Sequence, residues 1–327
     1  MSLPDGIEHF LASAGWQGAS IEPLPGDASF RRYFRIRDGA KSAMLMDAPP
    51  PHEDPGPFLD VAHWLTEHGH RAPAIYAEDR ARGLVLLEDF GSDRMRDWLD
   101  IHPAAELETY RGAIDALVKL HRSPPGPFPL YDIAVYQREV ALFPEWYCPA
   151  AGIEVDAAAY ADAWDQVMAP VITRQVPGIT VLRDYHAENI MLLPKGEQGL
   201  IDFQDALVGH PAYDIVSLLQ DARRDVPVEL ERAMLDHYLS QVNGGSEHDA
   251  QFAADYARLG AQRNAKIVGI FARLWKRDGK PRYLAFIPRV WEALERDLAH
   301  PALEPVARWF DANIPQDVRE RRGGGLG

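Results

Sequence analysis

The chain has 327 residues, 46% hydrophobic and 25% charged, an ordinary globular composition that builds a core without metal or disulfide staples. A formal net charge of −15 repels nucleic acid and anionic lipid at long range. Cys148 is the single cysteine, which excludes an internal disulfide and a cysteine-rich zinc centre. No apolar run approaches bilayer length, and the opening MSLPDGIEHFLASAG lacks the basic and apolar regions of a secretory leader. The expectation is a cytoplasmic protein with no membrane, no nucleic-acid and no obligate protein partner.

In chain order, SFRRYFRIR (29–37) and KSAMLMDA (41–48) read as two strands joined at Asp38-Gly39, a hairpin signal. APPPHEDPGP breaks the chain, and a helix over 58–68 ends at Gly69. GLVLLEDFGS (83–92) reads as a buried strand that stops at polar and glycine residues. Past Gly91 the apolar period changes to 3.6: Leu107, Tyr110, Ile114, Leu117 and Val118 predict a helix over 104–121, closed by SPPGPFP. Further helices are expected over 156–174, 212–222, 227–241, 250–275 and 286–298, interrupted by short strands at 179–183, 189–193 and 199–203. The tail RRGGGLG is of low complexity and expected to be disordered. The reading is an α+β chain with a small antiparallel-sheet lobe over 1–90 and a large, mainly helical lobe over 91–327. Clefts between such lobes favour ligands.

The chemistry concentrates in LRDYHAENIMLL and, shortly after, IDFQDA. Asp184 ends an apolar strand, Asn189 opens the next, and Asp202 ends the one after. Two carboxylates and one amide make a hard, oxygen-only donor set that suits Mg²⁺ completed by phosphate and water. One carboxylate is then left to take a proton from a hydroxyl nucleophile. Each residue alone caps turns routinely. The joint spacing matches the R-D-x-x-x-x-N loop and the D-F start of the metal segment of phosphoryl-transfer enzymes.

With these segments, and with GDASFRRYFRI, LMDAPP, LLEDFG, LIDFQDALVGHPAYDIVSLLQDARRDV and RNAKIVGIFARLWKRDGKPRYL, the chain resembles the aminoglycoside phosphotransferase and choline kinase-like family. The resemblance spans nearly the whole chain. It implies a two-lobed, protein-kinase-like fold and an ATP- and Mg²⁺-dependent kinase acting on a small molecule. The implied acceptor is the anomeric hydroxyl of N-acetylmuramate and N-acetylglucosamine, in peptidoglycan recycling. Carried over residue by residue, Asp184 is the base or orienter, Asn189 and Asp202 hold Mg²⁺, and Glu88, Asp89 and Phe90 form the hinge that reads adenine through backbone groups. Arg183 and Asp214 support the catalytic loop, although Asp214 also fits a plain helix N-terminal acid.

The chain departs from the family twice. The glycine-rich loop shrinks to PGDASFRR, with Ser29 among the small residues left to approach phosphate, and no lysine stands on the third strand, where Met46 and Asp47 sit. Arg32 alternates onto the same strand face as Phe34 and Ile36, and an apolar face calls for an anionic partner. Arg32 is therefore the candidate phosphate anchor, with solvent snorkelling as the alternative. On the acceptor side, Asp205 and His186 are candidate sugar contacts. Arg263, Lys266 and Arg273 share a helix face that is simply solvated or, as the resemblance implies, receives a carboxylate such as a lactyl group. Two other functions stay open: an aminoglycoside or other small-molecule hydroxyl kinase of the same fold, and a nucleotide-binding pseudokinase scaffold.

Overall fold

In the computed structural model, which describes residues 3–24, 31–242 and 245–326, the β-branched and aromatic runs form three antiparallel sheets. The strands are β1 (Ser20–Pro23), β2 (Arg32–Asp38), β3 (Lys41–Asp47), β4 (Ile75–Asp79), β5 (Leu84–Glu88), β6 (Ile179–Val181), β7 (Ile190–Leu192), β8 (Gln198–Leu200) and β9 (Leu207–Gly209). The first five make one sheet in the order β1-β2-β3-β5-β4. The β2–β3 hairpin turns where the sequence places it, with Gly39 left-handed at φ 58°. Its register sets Arg32 opposite Asp47, Phe34 opposite Leu45 and Ile36 opposite Ala43. Phe34, Ile36, Leu45 and Leu86 form an apolar face covered by Ile7, Phe10 and Leu11 of helix α1 (Ile7–Ser13). That helix has only two turns, too short for its period to stand out in the sequence.

The chain divides into two compact units. The first comprises the described residues of Met1–Pro103 together with Glu188–Ala206. It holds the five-stranded sheet, helices α2 (Gly56–Glu67) and α3 (Met95–Ile101), and the β7–β8 hairpin. The hairpin is tied in by Leu192 N–H donating to the Asp93 carbonyl and Leu200 N–H to the Arg71 carbonyl, both at 2.8 Å.

The second unit comprises Ala104–Ala187 and the described residues of Leu207–Gly327. Its helices are α4 (Glu106–His121), α5 (Ile133–Val140), α6 (Cys148–Ala150), α7 (Ala157–Arg174), α8 (Ala212–Leu219), α9 (Val228–Val242), α10 (Gly245–Lys276), α11 (Ile287–Leu298), α12 (Glu304–Asn313) and α13 (Gln316–Glu320). Asp132 and Asp156 cap α5 and α7, each accepting a backbone N–H at 2.9 Å. Phe143, Tyr147, Tyr160, Trp291 and Phe310 pack as one aromatic core. α10 keeps Gly269 in mid-helix because a Cβ there would come within 2.4 Å of the Leu142 backbone.

The strand expected over 179–183 pairs with β9, a strand the sequence does not announce. Asp184 therefore follows one arm of a β6–β9 ladder in the second unit. Asn189 and Asp202 flank the β7–β8 hairpin in the first unit. Among the described residues, no helix is long and apolar enough to cross a membrane.

Candidate functional site

The loop after β6 is held from three sides. Leu182 N–H and Arg183 N–H donate to the two Asp214 oxygens at 2.7 and 2.8 Å, and Ser217 Oγ donates to the Arg183 carbonyl at 3.1 Å. Arg183 itself sits at φ 69°, a left-handed conformation that strains a residue with a Cβ and persists only where surroundings impose it. Its guanidinium reaches the Glu139 carboxylate and lies 5.7 Å from the centre of the Tyr131 ring. Asp184 is the next residue, half-buried, with Tyr185 anchored beyond it by a 2.8 Å bond from its hydroxyl to the Ala113 carbonyl. Asp214 is fully buried. Burial pushes its carboxyl up to about 7, against the two N–H groups that favour the ionised form. It lies in the first turn of α8, and both its oxygens are spent on the loop after β6.

Glu139, which the sequence reading passed over, is the electrostatic centre of this unit. It is 6% exposed and accepts from Lys266 Nζ at 2.8 Å, Gln262 Nε2 at 3.1 Å, Arg183 and the Tyr131 hydroxyl. Burial alone would raise its pKa, but the Lys266 and Arg183 charges outweigh it and hold the carboxyl at about 2. The sequence signal was an acid inside the apolar stripe Tyr136, Glu139, Val140 of α5.

Beside this network lies a cavity of about 80 Å³ lined by Asp184, Ala222, Arg223, Arg263, Lys266, Ile267, Ile270 and Phe271. The α10 residues recur every three or four positions, so one helix face supplies that wall. Asp184, Arg263 and Lys266 are thus brought together. Arg273 of the same helix is not part of this lining. Arg223 was missed; Asp221 positions it by accepting its backbone N–H at 2.8 Å and the Ala187 N–H at 3.2 Å. His186 places Nε2 3.3 Å from Arg223 Nη1, and burial holds its imidazole below the ordinary value.

In the first unit, Asn189 Nδ2 donates to Asp202 Oδ2 at 3.2 Å, and the Asn189 carbonyl accepts Ile201 N–H at 3.1 Å. Asp202 is exposed and left-handed at φ 59°, and Gln204 Nε2 steadies its other oxygen at 3.0 Å. Phe203 beside it stacks on Phe58 of α2 with centroids 5.0 Å apart. An amide oxygen and a carboxylate on adjoining chain segments fit a hard divalent cation of the Mg²⁺ kind, which needs few protein ligands. Among the described residues, no group of three or more His, Cys, Asp or Glu side chains makes a full protein cage. Asp205 is exposed on the following turn.

The side chains of Glu88, Asp89 and Phe90 are committed to local structure. Glu88 is bridged by both terminal nitrogens of Arg71, one at 2.7 Å, and accepts Ala74 N–H at 3.2 Å. Arg35 grips Asp89 at 2.9 Å, and Phe90 lies between Arg71 and Gly199. Arg32 shares the face of Phe34 and Ile36 as expected, and its guanidinium is paired with buried Asp47, Nε at 2.7 Å. On the opposite face of the strand, Tyr33 and Arg31 stand near Asp202 and Glu53, with Arg31 Nε 3.3 Å from Glu53. Ser29 lies outside the described residues.

The fold is protein-kinase-like, as its solved neighbours show. A choline/ethanolamine kinase family protein from Mesorhizobium loti superposes with a TM-score of 0.64 at 16% identity, over 94% of this chain and 99% of that one. Residues 20–261 match the model of the phosphotransferase enzyme family (APH), and the chain belongs to that family. Among its relatives are the N-acetylmuramate/N-acetylglucosamine kinase of Caulobacter vibrioides, 38% identical over 95% of this chain and 96% of the relative. The protein of the same name from Pseudomonas aeruginosa is 38% identical over 95% and 94%.

Proposed function

We propose that the chain is an ATP- and Mg²⁺-dependent sugar kinase that phosphorylates the anomeric hydroxyl of N-acetylmuramate and N-acetylglucosamine, serving peptidoglycan recycling in the cytoplasm. The observation that carries the reading is the cavity in which Asp184 stands with Arg223, Arg263 and Lys266, together with relatives that carry this name over nearly their full length. In the proposed reaction the sugar 1-hydroxyl attacks the γ-phosphate in line, its oxygen forms the new P–O bond, and the bond to ADP breaks. Asp184 orients the hydroxyl and accepts its proton. Asn189 and Asp202 are the residues that would hold Mg²⁺, whose chemistry is to neutralise charge on the phosphates. Residues 1–90 serve as the nucleotide lobe and 91–327 as the catalytic lobe, with the backbone of Glu88–Phe90 reading adenine. Asp205 and His186 remain sugar contacts.

An aminoglycoside acceptor is a polycation and would meet three cationic side chains around Asp184, which disfavours that alternative. A pseudokinase scaffold has no use for a strained Arg183 held next to Asp184. A coupled ADP-release assay over a panel of amino sugars and aminoglycosides, with phosphorus NMR to locate the ester, tests the proposal. Turnover restricted to aminoglycosides, or full turnover by Asp184→Ala, overturns it.

A further inference from the structure

On a chain of net charge −15, three cations around one small cavity require an explanation. They are not equivalent. Lys266 Nζ is neutralised by Glu139 at 2.8 Å and also reaches the Tyr213 hydroxyl at 3.2 Å. It belongs to the network that fixes Arg183 and, through it, the loop. Arg263 is different. It is 4% exposed, and its Nη1 finds no hydrogen-bond partner among the described residues. The carboxyl of Asp214 lies within electrostatic range, but both its oxygens already accept backbone N–H groups. The Asp184 carboxylate lines the same cavity, but no hydrogen bond joins it to Arg263 Nη1. A buried guanidinium nitrogen without an acceptor is costly, and the cost is removed when an anionic oxygen arrives. Arg223 lines the same cavity, set in place by Asp221. The volume of about 80 Å³ has room for a carboxyl group and its stem.

We infer that this cavity is an anion subsite beside the reacting hydroxyl, in which Arg263, assisted by Arg223, takes the carboxylate of an acidic amino sugar, while Lys266 positions the loop and does not bind that carboxylate. The inference rests on the proposed sugar kinase activity and deepens it: the subsite distinguishes an N-acetylated amino sugar bearing an ether-linked carboxylate from its neutral counterpart. A fork of guanidinium donors matches a planar carboxylate in a way an ammonium does not.

The test compares N-acetylmuramate with its methyl ester, which keeps the shape and removes the charge, and uses N-acetylglucosamine as the second acceptor. For the unmodified protein, kcat/KM for the acid is expected to exceed that for the ester by about 10- to 100-fold, mostly through KM. In Arg263→Gln the acid-to-ester ratio falls to about one, and Arg263→Lys recovers part of it. Lys266→Met lowers kcat for acid and ester alike and leaves their ratio intact. Acid and ester used equally by the unmodified protein would overturn the inference without any variant. So would an Arg263→Gln protein that loses both substrates in proportion, since that is what a merely structural arginine does. Titration calorimetry of acid and ester without nucleotide reads the same preference as binding. If neither sugar is phosphorylated, the functional proposal falls, while calorimetry still decides the subsite.

Discussion

Replacing Glu139 by Gln keeps the volume and removes one charge from beneath Arg183 and Lys266, so its effect isolates the electrostatics of the network. The carboxyl sits at about 2 against an ordinary 4.5. At about 1.4 kcal/mol per unit, that difference corresponds to about 3 kcal/mol of folding stability. The folded pKa is depressed, so the contribution is fully present above the unfolded value and disappears as pH falls through the folded one. Glu139→Gln leaves two cations facing a neutral amide, and breaking a buried pair in this way costs about 3–5 kcal/mol. The two routes agree in size. Urea unfolding of both proteins as a function of pH provides the assay. A gap of about 3 kcal/mol at neutral pH should narrow steadily between pH about 4.5 and about 2.5. A gap below about 1 kcal/mol at neutral pH, or one that ignores pH across that range, would refute the reasoning.

Four further variants have expected outcomes. Arg32→Ala strands the buried Asp47 carboxylate and should cost about 1–3 kcal/mol in thermal unfolding. Arg37→Ala, which breaks only an exposed pair with Glu22, should cost less than about 0.5. Gly269→Ala drives a Cβ into the Leu142 backbone at 2.4 Å and should destabilise by about 1–3 kcal/mol, since the neighbour is main chain and cannot swing away. Asp214→Asn turns an amide N–H₂ toward a backbone N–H of Leu182 or Arg183, releases the strained loop, and should lower kcat about 100-fold. The same variant removes a pH effect. Asp214 has its folded pKa raised to about 7 from 3.8, so in the unmodified protein its share of stability declines as pH rises from about 4 to about 7. In the variant that decline is absent, as pH-dependent melting will read.

The parts legible in the sequence are those governed by local rules. Period-two alternation put Arg32 with Phe34 and Ile36, and a turn signal at Asp38-Gly39 located the first hairpin. The spacing of Arg183, Asp184, Asn189 and Asp202 was readable because Asp and Asn tolerate the unusual backbone at strand ends, and Asp202 indeed sits at φ 59°. Helical spacing likewise announced the shared face of Arg263 and Lys266. What stayed hidden depends on partners distant in the chain. Alternation tells which residues share a face but not which face α1 covers, so it could not foresee that Arg32 would meet Asp47 on the covered side. Glu139 and Lys266 are 127 residues apart, and no spacing rule joins them. Basic residues that look alike on a helical wheel therefore divide into two kinds only in three dimensions. Lys266 has a countercharge supplied by the fold, whereas Arg263 is buried with a donor left over. A fold that neutralises one cation of a pair and leaves its neighbour's donor unmet separates support from recognition, which is the division the proposed anion subsite requires.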